Sequence, residues 1–97
     1  MQLQFTPHAR KRMHQRGIKM ADVQLALARG QRIYARDTLF VFLGRRQLID
    51  LGNLAERLEG LTLVIDPKTK TLLTVFRNRR FTRKIRYKPR HRARVRV

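Results

Sequence analysis

Nine Arg and two Lys crowd into residues 77–97 without a single acid, so a folded core has to come from residues 1–76. Like charges packed that densely repel each other in a compact state and favour a polyanionic partner. That stretch holds +11 of the formal net charge of +18, and residues 1–76, with 13 Lys plus Arg against 6 acids, hold the other +7. Hydrophobic residues make up 42% of the chain, near the globular norm. Only the charge is abnormal, which argues for a folded core with a basic exterior rather than for disorder. A length of 97 residues suits one domain and not two. The shift in composition near Arg77 divides the chain into a domain over 1–78 and a basic tail over 79–97. A second acid-free patch holds Arg10, Lys11, Arg12, Arg16 and Lys19.

Several classes are set aside by what the chain lacks. It has no cysteine, which removes disulfides and thiolate metal sites and fits a reducing compartment. No apolar run approaches the roughly 20 residues that span a bilayer. Met1 to Arg10 lacks the apolar core of a secretory signal. The expected location is cytoplasmic, with no membrane partner.

Local signals place the elements. Thr6 can cap a helix and Pro7 suits its first position. That helix should run to about Arg16 and stop at Gly17, a left-handed terminator, with Ala9 and Met13 four apart on its apolar stripe. A second helix fits Met20 to Arg29, with Met20, Val23 and Leu27 facing inward, Asp22 at its positive end and Gly30 closing it. Strands are expected over Gln31–Arg36, over Leu39–Leu43 as a central strand apolar on both faces, over Leu61–Ile65 and over Thr71–Phe76. The last two are joined by the turn Asp66 to Lys70. Between Gln47 and Glu59, a strand end near Leu48–Leu51 and a short helix from Asn53 to Leu58 are expected. The fold class is α+β: two helices, then an antiparallel β-meander.

The order His8-Ala9-Arg10-Lys11-Arg12-Met13-His14-Gln15-Arg16-Gly17-Ile18, followed by Asp22-Val23, resembles the opening of a small bacterial family of unknown function. Its members begin H-A-x-x-R-M-x-x-R-G-I-x-x-x-D-V and are grouped with the RelE/ParE-like toxin superfamily. Leu73-Thr74-Val75-Phe76-Arg77-Asn78 is similar to that family's closing strand. The resemblance covers roughly residues 5–30 and 61–90. It implies a RelE-like α-α-β-β-β-β fold, two helices on a twisted antiparallel sheet, with ribonuclease activity or ribosome contact by analogy. Lys19 departs from the pattern, standing where a capping Ser or Thr is common, and Gln47–Glu59 looks like an added element.

His8, Arg12 and Arg16, spaced four apart, share one helix face. RNA cleavage needs a proton acceptor for the 2′-hydroxyl, cations for the phosphorane and a proton donor for the leaving oxygen. Histidine suits the proton transfer and arginine clamps phosphate with forked donors. Arg77 is added by the resemblance, since RelE-like enzymes carry basic catalytic residues after the last strand. The catalytic candidates are therefore His8, Arg12, Arg16 and Arg77, with no metal and no cofactor expected. The plain alternative is a structural hydrogen bond for His8 and solvated arginines. His14 lies on another face, and His91 belongs to the tail.

In the tail, Phe81 and Tyr87 are interleaved with Arg79, Arg80, Arg83, Lys84, Arg86, Lys88 and Arg90. Arginines can contact phosphates and the rings can stack on unpaired bases. With Arg10, Lys11, Arg12, Arg16 and Arg77 these form the expected nucleic-acid-binding set. Three functions compete. The first is an RNA-binding protein acting on ribosomal or structured RNA. The second is an endoribonuclease toxin, which requires an acidic antitoxin as partner. The third is a structural component of a ribonucleoprotein. RNA is favoured over DNA by the resemblance and by the aromatic residues among the basic ones.

Overall fold

The computed structural model describes residues 2–77. A helix α1 spans Pro7–Gln15, with Pro7 at its start and Thr6 as N-cap. The Thr6 hydroxyl accepts from the Ala9 N–H at 2.9 Å, satisfying one of the donors a helix start leaves open. Arg16 is the C-cap and Gly17 follows at φ +64. The Gly17 N–H donates to His14 O at 3.3 Å and the Ile18 N–H to Met13 O at 2.8 Å. This pair of bonds closes the helix as a Schellman motif, with Ile18 and Met13 both buried on its apolar side.

Helix α2 spans Met20–Arg29. Val23, Ala26 and Leu27 face the core, but Met20 is 50% exposed and is not an inner residue. As the first helical residue, it leans toward the N-terminal end, away from the packed layer. Gly30 closes α2 for a reason of space rather than of φ, which is −65. A Cβ at position 30 would overlap Val41 Cγ1 and the Ala26 carbonyl oxygen.

The strands are β1 Gln4–Phe5, β2 Gln31–Ala35, β3 Thr38–Phe42, β4 Leu61–Asp66 and β5 Thr71–Arg77. They form one sheet in the order β1-β5-β4-β3-β2. The expected meander is present from β2 to β5, with each successive pair antiparallel. The expectation of a wholly antiparallel sheet is corrected by β1, which precedes both helices and pairs parallel with β5. Its two residues are too few to show an alternating pattern in the sequence. The second strand ends at Ala35 rather than Arg36, which sits in the turn at φ +60.

The stretch around Leu48–Leu51 is not a strand. A 3-10 turn covers Arg45–Leu48, and helix α3 follows at Asn53–Leu58 as expected. Leu48 and Leu58 are fully buried, whereas Leu54 is 42% exposed. Leucines repeating every three or four residues fit helical turns, not a strand of period two.

Helix α1 packs on β5, and α2 on β3 and β4. Alternate residues Leu39, Val41 and Leu43, then Leu61, Leu63 and Ile65, then Leu72 and Val75, meet Ala9, Met13, Val23, Ala26 and Leu27 in one core. Gly30→Ala is expected to lower stability by about 1–3 kcal/mol through overpacking against Val41, read as a shift in denaturation midpoint. An unchanged midpoint would show that the contact relaxes freely.

Candidate nucleic-acid interface

Because Ala9 and Met13 point into the core, the rest of α1 is left to the surface. His8, Arg10, Lys11, His14 and Arg16 are exposed, and Arg12 is half-buried. The Arg12 Nε donates to His8 Nε2 at 3.5 Å, a length at the weak end for a hydrogen bond. Arg10 lies over the Phe5 ring, 5.8 Å from its centroid, within cation–π range. Among the described residues, none of Arg10, Lys11, Arg12, Arg16 or Lys19 forms an ion pair.

The acids are engaged elsewhere. Asp22 is only 4% exposed. Its carboxylate accepts from the Lys19 N–H at 2.9 Å, closing the first turn of α2, and from both terminal nitrogens of Arg57 at 2.8 and 3.2 Å. Burial alone pushes the Asp22 carboxyl up. The Arg57 and Lys19 hydrogen bonds, with the charges of both residues, outweigh that and hold it below the usual carboxylate range. Asp50 holds Arg29 at 2.6 Å in a second forked pair, and Arg29 lowers the Asp50 pKa likewise. Glu59 stands 3.8 Å from Arg45. All three pairs involve α2, α3 or the segment between Arg45 and Glu59. Arg29 and Arg57 are neutralised there, while the cations of α1 have no acidic partner among the described residues.

Helix α1 is fixed to the strand that leads into the acid-free segment. The Thr6 N–H donates to Leu72 O at 3.3 Å. Its hydroxyl donates to Leu72 O and Leu73 O at 3.3 and 3.1 Å. Those bonds sit where the pairing of β4 with β5 slips at Val64 and Ile65. Arg77, exposed, ends β5 opposite Leu61. It lies four residues beyond Leu73, about 13 Å at roughly 3.3 Å per residue. The structure thus brings His8 and Arg12 together, with Arg16 at the helix's far end. Arg77 makes no hydrogen bond or ion pair with any of the three. Arg79, Arg80, Phe81, Arg83, Lys84, Arg86, Tyr87, Lys88 and Arg90 lie outside the described residues.

Among the described residues no group of three or more His, Cys, Asp or Glu could hold a metal ion. No helix among them is long and apolar enough to cross a membrane. Fold and surface together define a small α+β domain with one helix face of unpaired cations. The chain belongs to the family described as a domain of unknown function, DUF4258, which it matches over residues 5–77. Comparison with curated proteins and with solved structures returned no match.

Sequence reading placed Asp22 at a helix start, and the Lys19-to-Asp22 spacing signals half of a capping box. Its partner Arg57, 35 residues away, carries no local signal. Arg57→Ala leaves a buried carboxylate short of donors and is expected to cost about 1–3 kcal/mol. The sign of the pH effect follows from the lowered Asp22 pKa. Its stabilising contribution is full above the unfolded value of about 3.9 and is lost as pH falls through the folded value. Denaturation midpoints measured from pH 6 downward should therefore drop in acid, and Asp22→Asn should flatten that drop. An equal drop in the variant would assign it to other carboxylates.

Proposed function

We propose that the protein binds RNA, ribosomal or structured, through the cation face of α1 and the acid-free segment beginning at Arg77. The helices and sheet would then be a RelE-like arrangement carrying a phosphate-contacting surface. The observation behind this reading is the sorting of charge. Ion pairs take up Asp22, Asp50 and Glu59 within α2, α3 and the segment between Arg45 and Glu59. On α1, which packs over β5, Arg10, Lys11, Arg12 and Arg16 form no ion pair among the described residues. A field of one sign that the fold itself does not neutralise attracts polyanions. Arginine supplies forked donors to phosphate oxygens, which position a nucleic acid without reading its bases.

The reading predicts a steep salt dependence. Contact with 6–10 phosphates would weaken affinity roughly 10³–10⁵-fold between 50 and 200 mM salt, by the scaling for duplex DNA. Titration of a labelled structured RNA across that range tests it, and a flat response would falsify RNA binding through this surface.

One contact favours a second reading, an endoribonuclease neutralised by an acidic antitoxin. His8 and Arg12 are already in contact at 3.5 Å, a proton-transfer group beside a phosphate clamp. This reading expects cleavage of RNA or of translating ribosomes by the intact protein, and loss of at least 100-fold in rate, on the order of a general acid–base contribution, in His8→Ala. RNA bound but left whole by both proteins would retire it and leave the binding reading, or a structural place in a ribonucleoprotein.

A further inference from the structure

The sheet end at which β5 finishes carries two arginines from a different part of the chain. Strand β3 ends at Phe42, and the next residue, Leu43, stays bonded to the β4 side. Its N–H donates to Leu61 O at 2.9 Å and its carbonyl accepts from the Gly60 N–H at 2.7 Å. Leu61 in turn pairs with Arg77. Leu43, Leu61 and Arg77 therefore form one row across the end of the sheet. With about 4.8 Å between neighbouring strands, that row is roughly 10 Å wide.

From Leu43 the chain turns through Gly44 into the 3-10 segment Arg45–Leu48. The turn is held in place on three sides. The Gly44 N–H donates to Gln47 Oε1 at 2.8 Å. A Cβ at position 44 would stand 2.8 Å from Phe42 Cε2, so the backbone lies against that ring. Leu48 is fully buried. From this fixed turn both Arg45 and Arg46, consecutive in the chain, are exposed to solvent. The Arg45 side chain is 82% exposed and stands 3.8 Å from Glu59, a loose surface pair of little energetic weight. Arg46 has no ion pair among the described residues.

We propose that Arg45 and Arg46 form a further RNA-contacting site, gripping phosphodiester oxygens of the same RNA that Arg77 engages. The inference rests on the RNA-binding reading above and adds a defined place and direction to it. Bound RNA crosses the end of the sheet from the Arg45–Arg46 turn toward Arg77. A width of roughly 10 Å corresponds to about three steps of a nucleic-acid strand at 3.4 Å each. The contacts are to backbone phosphate and confer no base preference.

The opposite end of the sheet supplies a matched control. The β4–β5 turn carries Lys68 and Lys70, both exposed, with Lys70 at φ +54. Arg45→Ala/Arg46→Ala and Lys68→Ala/Lys70→Gly each remove two positive charges from exposed positions, and glycine suits the left-handed backbone at position 70. The experiment measures affinity of each full-length variant for one labelled structured RNA against salt, with thermal unfolding to confirm that both fold.

The arginine variant should flatten the slope of log affinity against log salt by about 1.4–1.8, two contacts at roughly 0.7–0.9 each. The lysine variant should leave the slope where it was. Arg46→Ala alone, which breaks no ion pair, should flatten it by about half as much. Equal changes in the two double variants, or none in either, overturn the proposal, because charge would then act only as a diffuse field. A flat salt response in the unaltered protein removes the RNA-binding reading itself, and this site with it.

Discussion

The Asp22 carboxylate is the contact on which the arrangement of the helices depends. It is a charged group taken almost wholly out of water, which is tolerated only when the charge is paired and hydrogen-bonded. Three donors meet that need: one backbone N–H from the start of α2 and two nitrogens of Arg57 in α3. One side chain therefore closes a helix and ties it to a short helix 35 residues further along the chain. Helix α3 has six residues, too few to be stable alone, and this tie with its buried Leu58 holds it. Asp50 and Arg29 make a second tie between α2 and the segment before α3.

The same pairs decide what the surface offers. Six acids face 24 cations in the chain, so placing acids is the more selective act. Three of them are used on α2, α3 and the neighbouring segment, where Asp50 and Asp22 neutralise Arg29 and Arg57 and Glu59 stands loosely against Arg45. Asp66 is turned inward to the Lys68 N–H of its own turn. Among the described residues helix α1 receives none, and its arginines contact the Phe5 ring and His8. The positive field on that face is a consequence of where the acids were spent as much as of where the cations lie.

Much of the fold was legible because its signals are short. Thr6, Pro7 and Gly17 mark the two ends of α1, and each acts within a few residues through a hydrogen bond or a single dihedral. The run Leu39 to Leu43 announced a strand because it is apolar at every position, and β3 lies between β4 and β2 in the sheet. Strand β1 was not legible: Gln4 and Phe5 form a strand only because β5 offers its edge. The 3-10 turn after Gly44 was missed because Leu48 and Leu51 carry the same apolar signal in a turn as at a strand end. Met20 misled for a related reason, since helical spacing says which residues share a face but not how far the opposing layer extends.

Of the candidate site, the outward placement of His8, Arg10, Lys11 and Arg16 followed from the inward pair Ala9 and Met13, a matter of helical period alone. The pairing state of each cation did not follow, nor did the row of Leu43, Leu61 and Arg77 that sets the Arg45–Arg46 turn at the end of the sheet where β5 finishes. By itself the sequence determined the excess of positive charge, its concentration from Arg77 onward, and the ends of α1. Tertiary structure alone decided which arginines are neutralised and which remain free. Ion pairs and sheet edges join residues tens of positions apart, and no local pattern in a chain records its distant partners.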